Sequence, residues 1–280
     1  MVIPRLIFIV LIAAVMSATA CQSDDPSRAV AEWVNQVGLQ VNEKDAGGGQ
    51  TLVHIAAAEG RLDVLEWLQS KGADLDAVDN SGWTPMFLAA MAGHVDTMRW
   101  LADHGADVNA KSNAGWTPMA MAAREGCVEA MVWLKEQGAE TEVRSNAGAT
   151  PLFAAAWNGQ INAMAWLHAH GANVNAQSDA GRTPLFFAAE EGQVDAITWL
   201  HAHGANVNAA DHWGRTPMFT AAEHGHIDVM KWLYDHGADV SVKDHGGWTP
   251  ILGAAMAEQH EAVKWLEGHG AAVNTTDDDE

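Results

Sequence analysis

Fourteen histidines, two cysteines and thirty-six carboxylates give this 280-residue chain many groups with chemistry to offer. Three histidine pairs, His168/His170, His201/His203 and His224/His226, stand two residues apart and invite a metal reading. Yet His104, His170, His203, His236 and His269 each precede a glycine, where a cation-capable ring suits the negative end of a helix. The adjacent acids Glu190 and Glu191 follow one another along a helix and do not face each other across a cleft. Cys127 has no basic neighbour beyond Arg124 to lower its pKa, so it reads as a small packing residue and not a nucleophile. There is no Gly-x-Ser-x-Gly, no His-Glu-x-x-His and no phosphate loop; Gly47-Gly48-Gly49 lacks a following lysine. No catalytic residue, cofactor or enzyme activity is expected.

Bulk composition narrows the classes further. An apolar share of 48% against 18% charged residues suits a folded body and not a disordered chain. A formal charge of −21 leaves no basic surplus to neutralise nucleic-acid phosphates or anionic lipids. Two cysteines allow at most one bridge, so this is no disulfide-stapled fold.

The elements that carry these residues repeat. Thr recurs at 51, 84, 117, 150, 183, 216 and 249, Trp at 67, 100, 133, 166, 199, 232 and 265, and Gly at 72, 105, 138, 171, 204, 237 and 270, always 33 apart. Seven units fill 45–275, and the repeat body is bounded at 45–276. In the unit Asp79–Lys111, Asn80-Ser81-Gly82 supplies a turn. Thr84-Pro85 starts a helix, with Thr as cap and Pro at the first helical position. Met86, Ala89 and Ala90 give it an apolar face, and Gly93 ends it. Val95, Met98 and Leu101 form the inward stripe of a second helix, closed by His104-Gly105. Equivalent residues of stacked helices stand about 10 Å apart, whereas two ligands of one zinc must each come within ~2.1 Å of it. Histidines at equivalent positions therefore cannot share an ion, and the expected metal set is empty. The period-locked tryptophans are expected between successive second helices, with most of each ring buried.

The Thr-Pro-Leu/Met starts (Thr84-Pro85-Met86, Thr150-Pro151-Leu152, Thr183-Pro184-Leu185), the Ala-Ala pairs and the Gly-Ala-x-Val-Asn linkers resemble those of ankyrin-repeat proteins. The resemblance implies an all-α ankyrin-repeat solenoid of helix pairs joined by short β-hairpin turns. Unit one departs by carrying Leu52 for Pro, and His54 alone keeps the family's His; elsewhere that position is Phe87, Ala120, Phe153, Phe186, Phe219 or Leu252. Glu258 replaces the glycine that closes the first helix, so an irregular end is expected there. Arg28–Leu39 resembles a second helix alone, a capping half-repeat over 28–44, because an end unit must cover an open face.

In ankyrin proteins the residue before Thr projects into a concave groove, which the residue after Ala-Ala also lines. Here these positions hold Trp83, Trp116, Arg182, Arg215 and Trp248, and Met91, Arg124 and Trp157; Trp213 sits at a hairpin tip. Trp, Met and Arg are enriched at binding hot spots. The resemblance implies a protein partner bound in that groove, with the acidic charge favouring a basic one, and a monomeric scaffold. The competing reading is that the rings fold onto neighbouring fingers and stiffen them. A metal- or ligand-handling protein using surface histidines, or a toxin-neutralising one, stand as alternative functions.

Targeting is read at the start of the chain. Met1–Arg5 is positively charged, Leu6–Val15 is an apolar run, and Met16–Ala20 is small and weakly polar. That run is too short to span a bilayer and reads as a signal peptide over 1–20. Ala18-Thr19-Ala20-Cys21 resembles a bacterial lipobox, although Ala18 stands where Leu is usual. Cys21 is thus the expected lipidation site, followed by a tether to residue 27, and Gln22 favours the outer membrane. The resulting expectation is a periplasm-facing envelope lipoprotein touching the membrane only through its anchor, or a secreted protein if Cys21 is not lipidated. The acidic tail 277–280 is expected to fray.

Overall fold

Each first helix of units two, four, five, six and seven begins where an extended Thr meets a Pro. Thr84, Thr150, Thr183, Thr216 and Thr249 hold φ between −105° and −96°, and the following Pro occupies the first helical position. The computed structural model of the protein describes residues 26–271. These form two compact units, one taking residues through Ala122 together with 127–140, the other 123–126 and everything from Thr141. Residues 1–20, read above as a signal peptide, Cys21 and the acidic tail lie outside the described residues.

In the first unit, α1 (Pro26–Val37) precedes three helix pairs: α2 (Leu52–Glu59) with α3 (Leu62–Ser70), α4 (Pro85–Ala92) with α5 (Val95–Asp103), and α6 (Pro118–Glu125), whose last residues group with the second unit, followed by α7 (Val128–Glu136). The second unit holds α8 (Pro151–Trp157) with α9 (Ile161–Ala169), α10 (Pro184–Glu190) with α11 (Val194–Ala202), α12 (Pro217–Glu223) with α13 (Ile227–Asp235), and α14 (Pro250–Met256) with α15 (His260–Gly268). Among the described residues all regular structure is helical.

The first helices are buried nearly all round. Met86, Phe87, Ala89 and Ala90 of α4 are fully covered, and the small residues let successive helices approach. Second helices bury one stripe, such as Met98 and Leu101. Helix α1 covers the first pair: Val30 and Trp33 pack with Leu52, Val53, Leu65 and Leu68, and the Trp33 indole N–H donates to Glu59 at 2.8 Å.

Two local expectations are corrected. Thr was expected to cap through its hydroxyl. This holds at Thr117, Thr183 and Thr216, whose hydroxyls accept from the third helical N–H at 3.4 Å, but fails at Thr84, Thr150 and Thr249, whose hydroxyls are buried without a hydrogen-bond partner. The helix start is therefore carried by the extended-Thr, fixed-Pro backbone. The expected irregularity at Glu258 is also absent. Glu258 takes φ 57°, beside 66–75° for the glycines at its equivalents, so the end closes regularly at a cost of roughly 1–2 kcal/mol.

The hairpin turns form no strand among the described residues; each closes with two backbone bonds, a tight one from the turn glycine, such as Gly82 N–H to the Asp79 carbonyl at 3.0 Å, and a wider one across the turn. Asp79 N–H donates to the Trp83 carbonyl, Ser112 to Trp116, Ser145 to Ala149, Ser178 to Arg182, Asp211 to Arg215 and Asp244 to Trp248, at 2.7–3.0 Å. The return bond goes to a side chain: the N–H groups of Trp83, Arg215 and Trp248 donate to Asp79, Asp211 and Asp244, and those of Trp116, Ala149 and Arg182 to Ser112, Ser145 and Ser178. Successive fingers are then stitched by backbone bonds such as Asn113 N–H to the Ser81 carbonyl and His212 N–H to the Ala180 carbonyl, and the Asn113 amide adds a bond to the Asn80 carbonyl at 3.1 Å. No described helix is long and apolar enough to cross a membrane.

Candidate partner-binding wall

Within a unit, the residue before Thr and the residue eight places later share a face, here called the wall. This register is measured directly where both are charged: Arg182 reaches Glu190 at 3.6 Å and Arg215 reaches Glu223 at 3.7 Å. The same spacing pairs Trp83 with Met91 and Trp248 with Met256.

In the first unit the wall is packed down. Trp83 lies parallel to Phe87, with ring centroids 6.1 Å apart, and Trp83, Met91 and Trp116 sit half-buried against Phe87, Ala120 and Met121. His54 is the device beneath Trp83. The Thr51 N–H donates to its Nδ1 at 3.2 Å, so its Nε2 carries the proton and donates to the Trp83 carbonyl at 2.9 Å. Burial pushes the His54 imidazole below its ordinary pKa.

In the second unit, Trp157 is half-buried 5.5 Å from Phe187, and Arg124 is half-buried with Glu125 3.8 Å away. The two central arginines are occupied by their own fold. Arg182 sits over Phe186 at 4.7 Å and meets Asp211 of the next finger at 3.5 Å; Arg215 sits over Phe219 at 4.8 Å and meets Asp244 at 3.3 Å. Three apolar side chains remain open: Trp213 is 54% exposed, Trp248 40% and Met256 71%.

A family model described as ankyrin repeats (3 copies) matches residues 17–112, 110–178, 166–244 and 185–277. The chain belongs to the ankyrin-repeat family. No curated protein matches it. Ankyrin repeats are generally protein–protein interaction modules, and the family is typically non-catalytic.

Two features of this ankyrin wall were missed in the sequence. The Asp or Ser that caps each finger recurs every 33 residues, at 79, 112, 145, 178, 211 and 244, four places before the wall residue. The second is the residue opening each second helix. His226 packs over Gly192 and donates through Nε2 to the Glu190 carbonyl at 2.8 Å, and Cys127 donates to the Met91 carbonyl at 3.4 Å. Both hold the last turn of the preceding first helix, where the wall residue sits.

On the other edge, the His before each capping glycine does what its position implied. His104, His170, His203, His236 and His269 each donate Nδ1–H at 2.7 Å to the carbonyl of the Trp four residues earlier. Each also stacks on that ring at 3.7–4.0 Å. Of these seven period-locked tryptophans only Trp133 falls below a tenth exposed; the rest are half-buried. Among the described residues no group of three or more His, Cys, Asp or Glu is placed to hold a metal. The 10 Å argument covers equivalent histidines only, however, and non-equivalent rings come closer: His168 to His203 and His201 to His236 are both 5.1 Å between centroids.

Proposed function

We propose that this chain is a non-catalytic interaction module whose wall of finger and first-helix residues receives a protein partner. The observation that carries this is the exposure of Trp213, Trp248 and Met256 within one unit, in a fold that packs most of its other large apolar side chains. Solvent-facing Trp and Met are the side chains whose burial on binding contributes most. Arg182 and Arg215, committed to Asp211 and Asp244, act as rigid walls more than as free hooks. In the first unit, Trp83, stacked on Phe87, and Trp116, packed on the same floor, form a separate and more covered candidate surface. The formal charge of −21 favours a basic partner, whose association would slow with added salt.

The same proposal places the chain in a bacterial envelope, cleaved before Cys21 and lipidated there, on the strength of the charged start, the apolar run and the Ala20-Cys21 junction. Mass spectrometry of the mature N-terminus tests this, and an unmodified Cys21 removes the anchor. The partner is tested by capture from envelope extract with the full chain and with Trp248→Ala/Met256→Ala. Loss of a real anchor costs at least ~2 kcal/mol, roughly thirtyfold in affinity. A double variant with native circular dichroism that keeps the same partner at the same affinity refutes the wall.

A further inference from the structure

We propose that the two crossed imidazole pairs of the second unit, His168 with His203 and His201 with His236, each bind one borderline divalent metal ion such as zinc. The receiving rings are already fixed as metal ligands require. A backbone carbonyl can only accept, so the bonds from His203 to Trp199 and from His236 to Trp232 place the proton on Nδ1. In the neutral ring this leaves the Nε2 lone pair for a metal. A ligating histidine normally donates its other nitrogen to a carbonyl or carboxylate in this way, which fixes tautomer and orientation. Stacking on Trp199 at 3.8 Å and Trp232 at 3.7 Å holds the ring planes as well.

The second ring of each pair comes from the preceding repeat, 35 residues earlier. His168 approaches His203, and His201 approaches His236, with centroids 5.1 Å apart and planes at 76° in both cases. A zinc–nitrogen bond of about 2.0–2.1 Å plus about 1.1 Å to the ring centre puts each centroid ~3.2 Å from the ion, so tetrahedral ligands stand about 5.2 Å apart. All four rings are exposed, so an ion has access. With no third protein ligand grouped there, each site is open, its remaining positions left to water or to an external donor.

One further contact isolates the role of the nitrogen. Tyr234 meets His269 at 4.9 Å and 77°, the same packing with a phenol in place of the imidazole. The repeat register thus brings the side chains together, and His-Ala-His-Gly in two successive units supplies nitrogen at both places. Tyr is accordingly the substitution that keeps the packing and removes the ligand.

The test is equilibrium dialysis of the full chain, without an affinity tag, against zinc chloride, with bound metal measured by atomic emission. The expected result is two equivalents for the native chain, a loss of one in His168→Tyr and one in His201→Tyr, and a loss of both in the double variant. Circular dichroism and melting of the variants should match the native chain. Uptake below one equivalent, or the same uptake in the double variant, overturns the proposal and leaves the crossed rings as packing alone.

Discussion

Asp76→Asn should stabilise this chain. Four equivalent loop positions hold Asn, and three of them, Asn42, Asn175 and Asn208 but not Asn109, donate the side-chain amide to a glycine carbonyl of the next loop: Gly72 at 3.2 Å, Gly204 at 2.9 Å and Gly237 at 3.0 Å. Their side-chain oxygens accept the N–H of Asp74, Asn206 and Asp239. Asp76 keeps only half of this device. It accepts from the Asp107 N–H at 3.3 Å, but a carboxylate has no proton for the Gly105 carbonyl in the same register. Burial, and then the charges of Asp107 and Asp74, push its pKa above the ordinary 3.8, against the pull of the Asp107 N–H. An amide restores one hydrogen bond, worth about 0.5–1.5 kcal/mol, and solvent access keeps the expected gain near ~0.5–1 kcal/mol. For a chain of this size that is about 1–3 °C in melting temperature. The pH dependence follows from the direction of the shift. Between 3.8 and the raised value the folded chain binds more protons than the unfolded one, so stability falls as pH rises through that window. The advantage of Asn is therefore complete at pH 7 and shrinks as pH falls toward 3.8, where a protonated Asp76 can itself donate. Urea midpoints at pH 7 and pH 4 measure both effects. No gain at pH 7, or a gain as large at pH 4, refutes the reasoning.

Asp211→Ala removes the acceptor of the Trp213 and Arg215 N–H groups (2.9 and 3.0 Å) and the partner of Arg182, and should cost about 2–4 kcal/mol in urea titrations. Asp211→Ser should recover most of it, since Ser178 caps the preceding finger in this way; equal losses for Ala and Ser would count against the capping role. Gly192→Ala, at φ +72° with its new Cβ 2.9 Å from His226 Nδ1, should cost more than Gly72→Ala, at φ +78° in open space. The left-handed backbone accounts for roughly 1–2 kcal/mol in both, so equal thermal shifts would show that the His226 contact carries no weight. His54 is held neutral by burial, so the native chain should lose stability as pH falls below 6.5, and His54→Phe should flatten that slope between pH 7 and 5.5 in melting experiments.

The fold was legible in the sequence because its determinants are local and repeated. Thr150-Pro151 starts a helix through its own backbone angles, Gly93 and Gly105 end helices by adopting positive φ, and Ala89-Ala90 sets how closely neighbours pack. The structural role of the His before each capping glycine was legible for the same reason, since its partner lies four residues away. Hydrogen bonds across repeats were not: nothing near His226 in the chain announces the Glu190 carbonyl 36 residues earlier, and nothing near His168 announces His203.

Exposure was decided only by tertiary structure. Gly82-Trp83-Thr84-Pro85 and Gly247-Trp248-Thr249-Pro250 are identical in sequence, and both tryptophans qualify as anchors on residue type alone. Trp83 stacks above Phe87 and shares its floor with Met121 and Trp116 of the following repeat, so much of its ring is already covered. Trp248 has Leu252 at the position equivalent to Phe87 and remains 40% open to solvent. The free energy available to a partner is the apolar area not yet buried, and that area depends on side chains contributed by other repeats, at separations that local sequence does not encode.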